Sequence, residues 1–379
     1  MKKVPHIIGS VARTLLGIVF LFSGFVKAVD PLGTVYKIED YLKAFGGIFT
    51  DMLPLAFWAA MALIAAEWLL GVCLTFNVKT QWTSWLTLAF MLVMTPLTLW
   101  IALTDPVSDC GCFGDAIVLS NWATFWKNIV LLALVITLLV CKKHIPQLFV
   151  NKAEACIAGG GLLFAVALMV WTLYHLPIMD FRPYKIGNNI PELMEVPEDA
   201  PQDEYEIRFI YEKDGQQQEF TLENYPKGDS TWTFVDQKSK LIRKGYEAPI
   251  HDFEIMTADY EDITYDILES ETPVTLVIMY DLDKADLDQL GKVTELYHHC
   301  LNNLEPFYIL TGSGEQTRDN FCFDVAMNDN SNTVTPFNHP DGVFCTCDPV
   351  TLKTIVRANP GVIVVQNGTI IDKYNIRNK

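Results

Sequence analysis

Positive charge is scarce in this 379-residue chain: 28 Lys+Arg stand against 45 Asp+Glu, for a formal net charge of −17. An acidic balance of that size excludes nucleic acid as a natural partner and repels anionic lipid headgroups. Charged residues of either sign make up only 19% of the chain, against 50% hydrophobic residues. None of the nine cysteines forms a Cys-x-x-Cys pair, which excludes the usual dithiol catalysis of that motif. Inverted repeats and paired broken helices are lacking too, which argues against a transporter.

The shortage of charge is uneven. Up to residue 178 there are 11 Lys+Arg against 9 Asp+Glu, leaving 17 against 36 for the remainder. Acidity therefore belongs to the second half, where it reads as solubility. The first half carries five apolar runs, at residues 7–28, 52–76, 82–103, 122–141 and 155–176, each long enough to cross a hydrocarbon core of about 30 Å. Lys2 and Lys3 precede the first run as they would in a cleaved signal peptide. Arg13 interrupts that run, however, and Lys27 spoils a small-residue cleavage site, so it reads as a retained span. Lys2, Lys3, Lys79, Lys142, Lys143 and Lys152 fall on one side of the bundle. That side is expected to be cytoplasmic, and an odd number of spans then delivers the acidic half outside, into a bacterial periplasm.

On this topology Cys73, Cys141 and Cys156 lie at reducing, cytoplasmic ends, while Cys110, Cys112, Cys300, Cys322, Cys345 and Cys347 face the oxidising side. In Asp109-Cys110-Gly111-Cys112-Phe113-Gly114-Asp115, one glycine separates two thiols that can close a small, strained and hence reducible ring. A structural bridge to another cysteine is the alternative. A metal is not expected, because no matching Cys/His pair lies nearby. Glu67 sits deep in the second run, where an ionisable group costs about 3 kcal/mol on insertion scales and needs a partner or a proton. An ion pair with Lys27 or Lys127 competes with a role in proton or quinone chemistry. Asp30-Pro31-Leu32-Gly33 reads as a turn, and the apolar spacing beyond Tyr36 as an amphipathic helix roofing the bundle.

Lys-x-x-Asp-Pro-x-Gly-Thr from Lys27, Glu-x-Leu-Leu-Gly from Glu67 and Cys-Gly-Cys-Phe-Gly from Cys110 occur in that order. Together they resemble the DoxX-like/methylamine-utilisation E (MauE) membrane proteins. That resemblance implies a four-helix membrane module associated with redox chemistry, in the best-known case needed for maturing a disulfide-rich periplasmic dehydrogenase.

In the second half, residues 191–201 are a linker by composition, and residues 204–211, 218–222 and 231–235 alternate as in a small β-rich region. From Val274 strands and helices alternate and end in a hairpin turning at Asn367-Gly368, the pattern of an α/β domain. With Asn359-Pro360-Gly361 before that hairpin, residues 245–379 resemble the thioredoxin fold. At the position where that family keeps its Cys-x-x-Cys this chain reads Tyr280-Asp281-Leu282-Asp283, and the nearest substitute is Cys345-Thr346-Cys347. Buried apolar thiols or a local disulfide are the competing reading of that pair.

The expected architecture is a multi-domain one: an all-α transmembrane helix bundle followed by an α/β thioredoxin-like soluble domain. Residues 1–145 form the four-helix module, 146–178 a fifth helix, 179–245 the linker and β-rich region, and 246–379 the thioredoxin-like domain. The plan is similar to that of bacterial vitamin K epoxide reductase homologues, which pass electrons from dithiols to quinone. The expected function is thiol–disulfide exchange at the periplasmic face of a bacterial inner membrane, with Cys110, Cys112, Cys345, Cys347 and Glu67 as candidate catalytic residues and quinone as a possible cofactor. The alternative is a non-enzymatic anchored module that binds an exported or periplasmic protein. The lipid bilayer is a partner in both.

Overall fold

The computed structural model describes residues 3–107, 109–243, 245–328, 335–338 and 342–379, so Lys2 lies outside the described residues. Among them five stretches, Val4–Val29, Gly47–Thr75, Thr80–Thr104, Asn121–His144 and Asn151–Tyr174, are long and apolar enough to cross a membrane. The chain is a multi-pass membrane protein followed by a mixed α/β domain.

Helix α1 (Lys3–Val29) is separated from α2 (Pro31–Phe45) by one residue. Asp30, expected in a turn, instead caps α2, accepting a hydrogen bond from Gly33 N at 3.1 Å, and Pro31 opens the new helix. Proline suits a first-turn position because its missing N–H has no helical acceptor there. A 3-10 segment (Gly47–Leu55) leads into α3 (Ala56–Thr75), followed by α4 (Thr80–Thr104), α5 (Asn121–Cys141) and α6 (Asn151–Tyr174). Helices α1 and α3 meet backbone to backbone. A Cβ at Gly24 would lie 2.7 Å from Trp68 N, and one at Gly71 2.5 Å from Leu21 N. Small residues permit such approach where lipid supplies no hydrophobic drive between helices. Leu16, Phe20, Leu70, Leu74, Met91, Leu131, Val135 and Leu138 fill the centre. Helix α6 lies against α1 and α3, with Trp68 Nε1 donating to Gly161 O at 2.9 Å and Thr172 Oγ1 to Ala28 O at 3.3 Å. Lys79 and Glu154, 3.3 Å apart, place the α3–α4 turn and the start of α6 at the same end of the bundle.

Within the stretch expected as linker, Ile190–Met194 forms a short helix, α7, and Ile190 is fully buried in the α/β core. Strands β1 (Glu204–Lys213), β2 (Gln216–Thr221) and β3 (Thr233–Arg243) make an antiparallel sheet of order β2-β1-β3. Beyond α8 (Thr264–Leu268) come β4 (Val274–Ile278), α9 (Leu290–Asn303), β5 (Phe307–Thr311), α10 (Glu315–Asn328), β6 (Phe344–Thr346), α11 (Pro349–Ile355), β7 (Gly361–Gln366) and β8 (Thr369–Asn375). Their sheet has the order β6-β5-β4-β7-β8. Strands β4, β5 and β6 run parallel, and β7 is antiparallel to both β4 and β8. Leu276 and Ile278 point into one core and Val277 and Met279 into the other, so the central strand is buried on both faces and reads as an unbroken apolar run.

Gly71→Leu should wedge α1 from α3 at a cost of about 1–3 kcal/mol. Thermal unfolding in detergent checks this: Tm should fall, and an unchanged Tm would show that the two backbones do not meet there.

Candidate functional site

The close α1–α3 contact brings Lys27 and Glu67 together in the bundle interior. Lys27 Nζ lies 2.8 and 2.7 Å from the two Glu67 carboxylate oxygens, with both side chains buried. Ser23, one turn before Lys27, accepts from Lys27 Nζ at 3.1 Å. Its hydroxyl is within donating distance of Glu67 Oε2 (2.9 Å) and of the main-chain oxygen of Cys112 (2.7 Å). An ion pair in so apolar a setting is favourable only when its remaining hydrogen-bonding capacity is met, and Ser23 meets part of it.

The cysteine loop rests on this group. Cys110 Sγ and Cys112 Sγ are 3.2 Å apart, hydrogen-bonding distance for two thiols. Gly111 between them has φ +62°, a conformation glycine adopts without a Cβ penalty. Asp109 accepts from Gly111 N at 2.7 Å and pairs with Lys37 at 2.7 Å. Tyr41 of α2 donates to Cys110 O at 2.6 Å. Phe113 packs on Phe22, ring centres 5.5 Å apart, under Lys127 Nζ at 4.4 Å. The thiols are unequal. The hydrogen bond from Cys110 holds the Cys112 thiol below its ordinary range, helped by the Lys127 and Lys27 ammonium groups and opposed by burial. The same hydrogen bond, with burial, pushes Cys110 up. Cys112 is therefore the sulfur that carries negative charge more readily.

Both cysteines, Ser23, Lys27, Glu67 and Lys127 line a cavity of 530 Å³ whose inner wall is Val19, Phe20, Phe90, Met91, Met94 and Leu131. Apolar walls with a few convergent polar groups, at this volume, suit a small organic ligand. The outer wall comes from the α/β domain through Lys353 and Arg357. Arg357 is buried and reaches Asp30 (Nε–Oδ2 2.9 Å) and Asp115 (3.2 Å). Tyr280 OH meets Tyr36 OH at 3.2 Å.

The sequence-predicted residues thus divide. Cys110, Cys112 and Glu67 are brought together; of the two cations offered as partners for Glu67, Lys27 makes the ion pair and Lys127 stands over Phe113. Cys345 and Cys347 do not join them. Both are buried in the α/β core and neither lines the cavity; burial pushes their thiols up to about 11 and about 12. His299, Cys300 and Glu305 bring possible ligand atoms within 4.8 Å of one another, but Cys300 Sγ is buried and donates to Thr275 Oγ1 at 3.4 Å. Sequence reasoning singled out neither Ser23 nor Arg357. Ser23 and Lys27, four residues apart on one helix face, gave a signal; Arg357 gave none.

Residues 5–141 match the family model described as Methylamine utilisation protein MauE, and residues 205–244 that of a domain of unknown function (DUF8463). The first match spans α1 to α5 and the whole cysteine loop; the second coincides with the three-stranded sheet. No curated protein and no solved structure matches the chain.

Glu67→Gln leaves the Lys27 charge buried without its counter-ion, which should cost about 3–5 kcal/mol, whereas Glu67→Leu with Lys27→Met should recover most of that loss. Unfolding of the three proteins in detergent checks this. Equal stability of Glu67→Gln and the parent would show that the pair is not formed.

Proposed function

We propose that this protein is a thiol–disulfide exchange module of a bacterial inner membrane, with its N-terminus cytoplasmic and its α/β domain in the periplasm. The single observation that carries the reading is the Cys110–Cys112 pair, 3.2 Å apart at the wall of a cavity it shares with Lys27, Glu67 and Lys127. The MauE-like match supports a membrane accessory role, and exchange is the chemistry this loop is best built for.

In the oxidised state a thiolate of an exported protein attacks Cys110 Sγ. The ring disulfide breaks and Cys112 leaves as the thiolate, the better leaving group because the Lys127 and Lys27 ammonium groups lie beside it. The partner's second thiol then resolves the mixed disulfide. The partner loses two electrons and becomes a disulfide, while Cys110 and Cys112 become a dithiol. Lys127 and Lys27 stabilise the Cys112 thiolate, and Ser23 holds the loop by its main-chain oxygen. Return to the disulfide releases two electrons and two protons. A quinone fits the apolar walls, with Phe20, Phe90, Met91 and Leu131 to hold a ring and Lys127 as a donor to its oxygens; bound there, it would supply a two-electron, two-proton acceptor.

A thioredoxin-like reading of the α/β domain is supported by its parallel strand–helix–strand unit, its terminal antiparallel hairpin and the cis Asn359-Pro360 bond that precedes it. Tyr280-Asp281-Leu282-Asp283 stands in place of a thiol pair, and Cys345 and Cys347 are enclosed, so exchange is assigned to Cys110 and Cys112 alone. The second reading, an anchored binding module, is favoured by this same loss of thiols.

Purified protein equilibrated in glutathione buffers, alkylated and analysed by mass spectrometry should show Cys110 and Cys112 cycling between dithiol and disulfide, at a potential well above the roughly −300 mV of structural bridges. Cys110→Ser and Cys112→Ser should each abolish the cycling. A pair that resists reduction, or never oxidises, would favour the binding module. In the reduced protein Cys112 should alkylate faster than Cys110 at pH 7, its rate falling only at pH values below those that silence an ordinary thiol, because its thiolate persists there. Equal rates would refute the asymmetry.

A further inference from the structure

The loop from Asp109 to Asp115 is tied from below and from the side by the membrane bundle: Ser23, Lys37 and Tyr41 hold Cys112 O, Asp109 and Cys110 O. A further tie comes from the α/β domain, 242 residues away in sequence, where Arg357 Nη2 meets Asp115 Oδ2 at 3.2 Å. Arg357 also grips Asp30 at the α1–α2 corner with its Nε, donates to Lys353 O at 2.6 Å, and lies over the Tyr36 ring at 5.3 Å. A guanidinium serves several acceptors in fixed directions where an ammonium is a point charge. Asp30 caps α2, the helix that carries Lys37 and Tyr41. Arg357 thus acts at two places: directly on the turn Gly114–Ala116 that follows Cys112, and through α2 on the residues that hold Asp109 and Cys110.

From this geometry we propose that Arg357 is a positioning residue for the Cys110–Cys112 pair. Through it the α/β domain tunes a thiol pair that it does not itself contain. The proposal rests on the exchange reading above. With Arg357 in place the two sulfurs are held within 3.2 Å, so the effective concentration of one thiol at the other is high and the disulfide is favoured. Without it the loop is anchored by the bundle alone, the sulfurs separate more often, and the equilibrium moves toward the dithiol.

The test uses the full-length protein in detergent, with Arg357→Met, Asp115→Asn and the double variant. Two quantities are read: the glutathione equilibrium constant of the Cys110–Cys112 pair, and the rate at which the reduced pair is alkylated. Arg357→Met should favour the dithiol at least tenfold and speed alkylation several-fold. Asp115→Asn should move both quantities the same way, and the double variant should move them no further than Arg357→Met alone, because both remove the same tie. Additive shifts in the double variant would overturn the proposal, as would a constant within twofold of the parent for Arg357→Met. Limited proteolysis of Arg357→Met reports whether the α/β domain is still folded. Should that variant unfold, Asp115→Asn decides: a shift of both quantities in the stated direction supports the proposal, and values within twofold of the parent overturn it. If the parent pair does not cycle at all, the exchange reading fails; an unchanged alkylation rate in the variants then overturns the positioning role separately.

Discussion

The buried pair of Lys27 and Glu67 is the constraint on which the rest of the site depends. Two opposite charges within 3 Å in the interior of an apolar bundle are stable only together, and they can be together only if their helices touch. Gly24 and Gly71 permit that contact, since at either position a Cβ would meet the opposing backbone at under 3 Å. Close packing thus comes first, the ion pair follows from it, and the pair gives Ser23 a fixed place from which to hold Cys112 O. Each step narrows the position of the next group until the sulfurs are located.

Charge around the cysteines follows the same order. Glu67 is matched by Lys27, and Lys127, held over the Phe113 ring, adds a further positive charge on the inner side. A cation bias beside a partly buried thiol favours its thiolate, and it acts on Cys112. Had the bundle presented Glu67 without Lys27, the same loop would have been held beside a carboxylate, which would oppose ionisation of both sulfurs. The ion pair therefore supports the bundle and also keeps a negative charge from governing the thiol chemistry.

Much of this was legible in the sequence because it is written in local pattern. The apolar runs located the helices to within a few residues, and the alternation from Val274 located the α/β domain. Cys110, Cys112 and Glu67 stood out because a thiol pair around a glycine and a carboxylate in an apolar run are locally improbable. Lys27 could be offered as a partner because α1 and α3 are neighbouring spans. Other features were not legible. The break at Asp30 is a single capping residue, where proline and glycine suggested a turn. The α9 helix begins at Leu290, after 3-10 segments that the alternation from Val274 does not mark. Arg357 carries no local mark at all. Its partners lie 327 and 242 residues away, and pairing at that separation is set by how two folded units dock, which no periodicity records.

That docking bears on what an α/β domain whose own Cys345 and Cys347 are buried contributes beside a membrane loop with a more open thiol pair. The surface around Tyr280, where the thioredoxin-like reading would put catalytic cysteines, is turned onto α2 and meets Tyr36. Thiols placed there would face Tyr36 of α2, at the interface with the domain's own membrane module. Cys345 and Cys347 lie within the core and hold their protons strongly. Neither arrangement puts an exposed thiol of the domain at this interface. What its interface does present is the buried Arg357 guanidinium, the Lys353 ammonium and the Tyr280 hydroxyl. Those groups fix geometry and charge without taking part in electron transfer, and on the proposed reading that is the domain's contribution: the membrane loop supplies the sulfur chemistry, and the α/β domain determines how closely the two sulfurs are held.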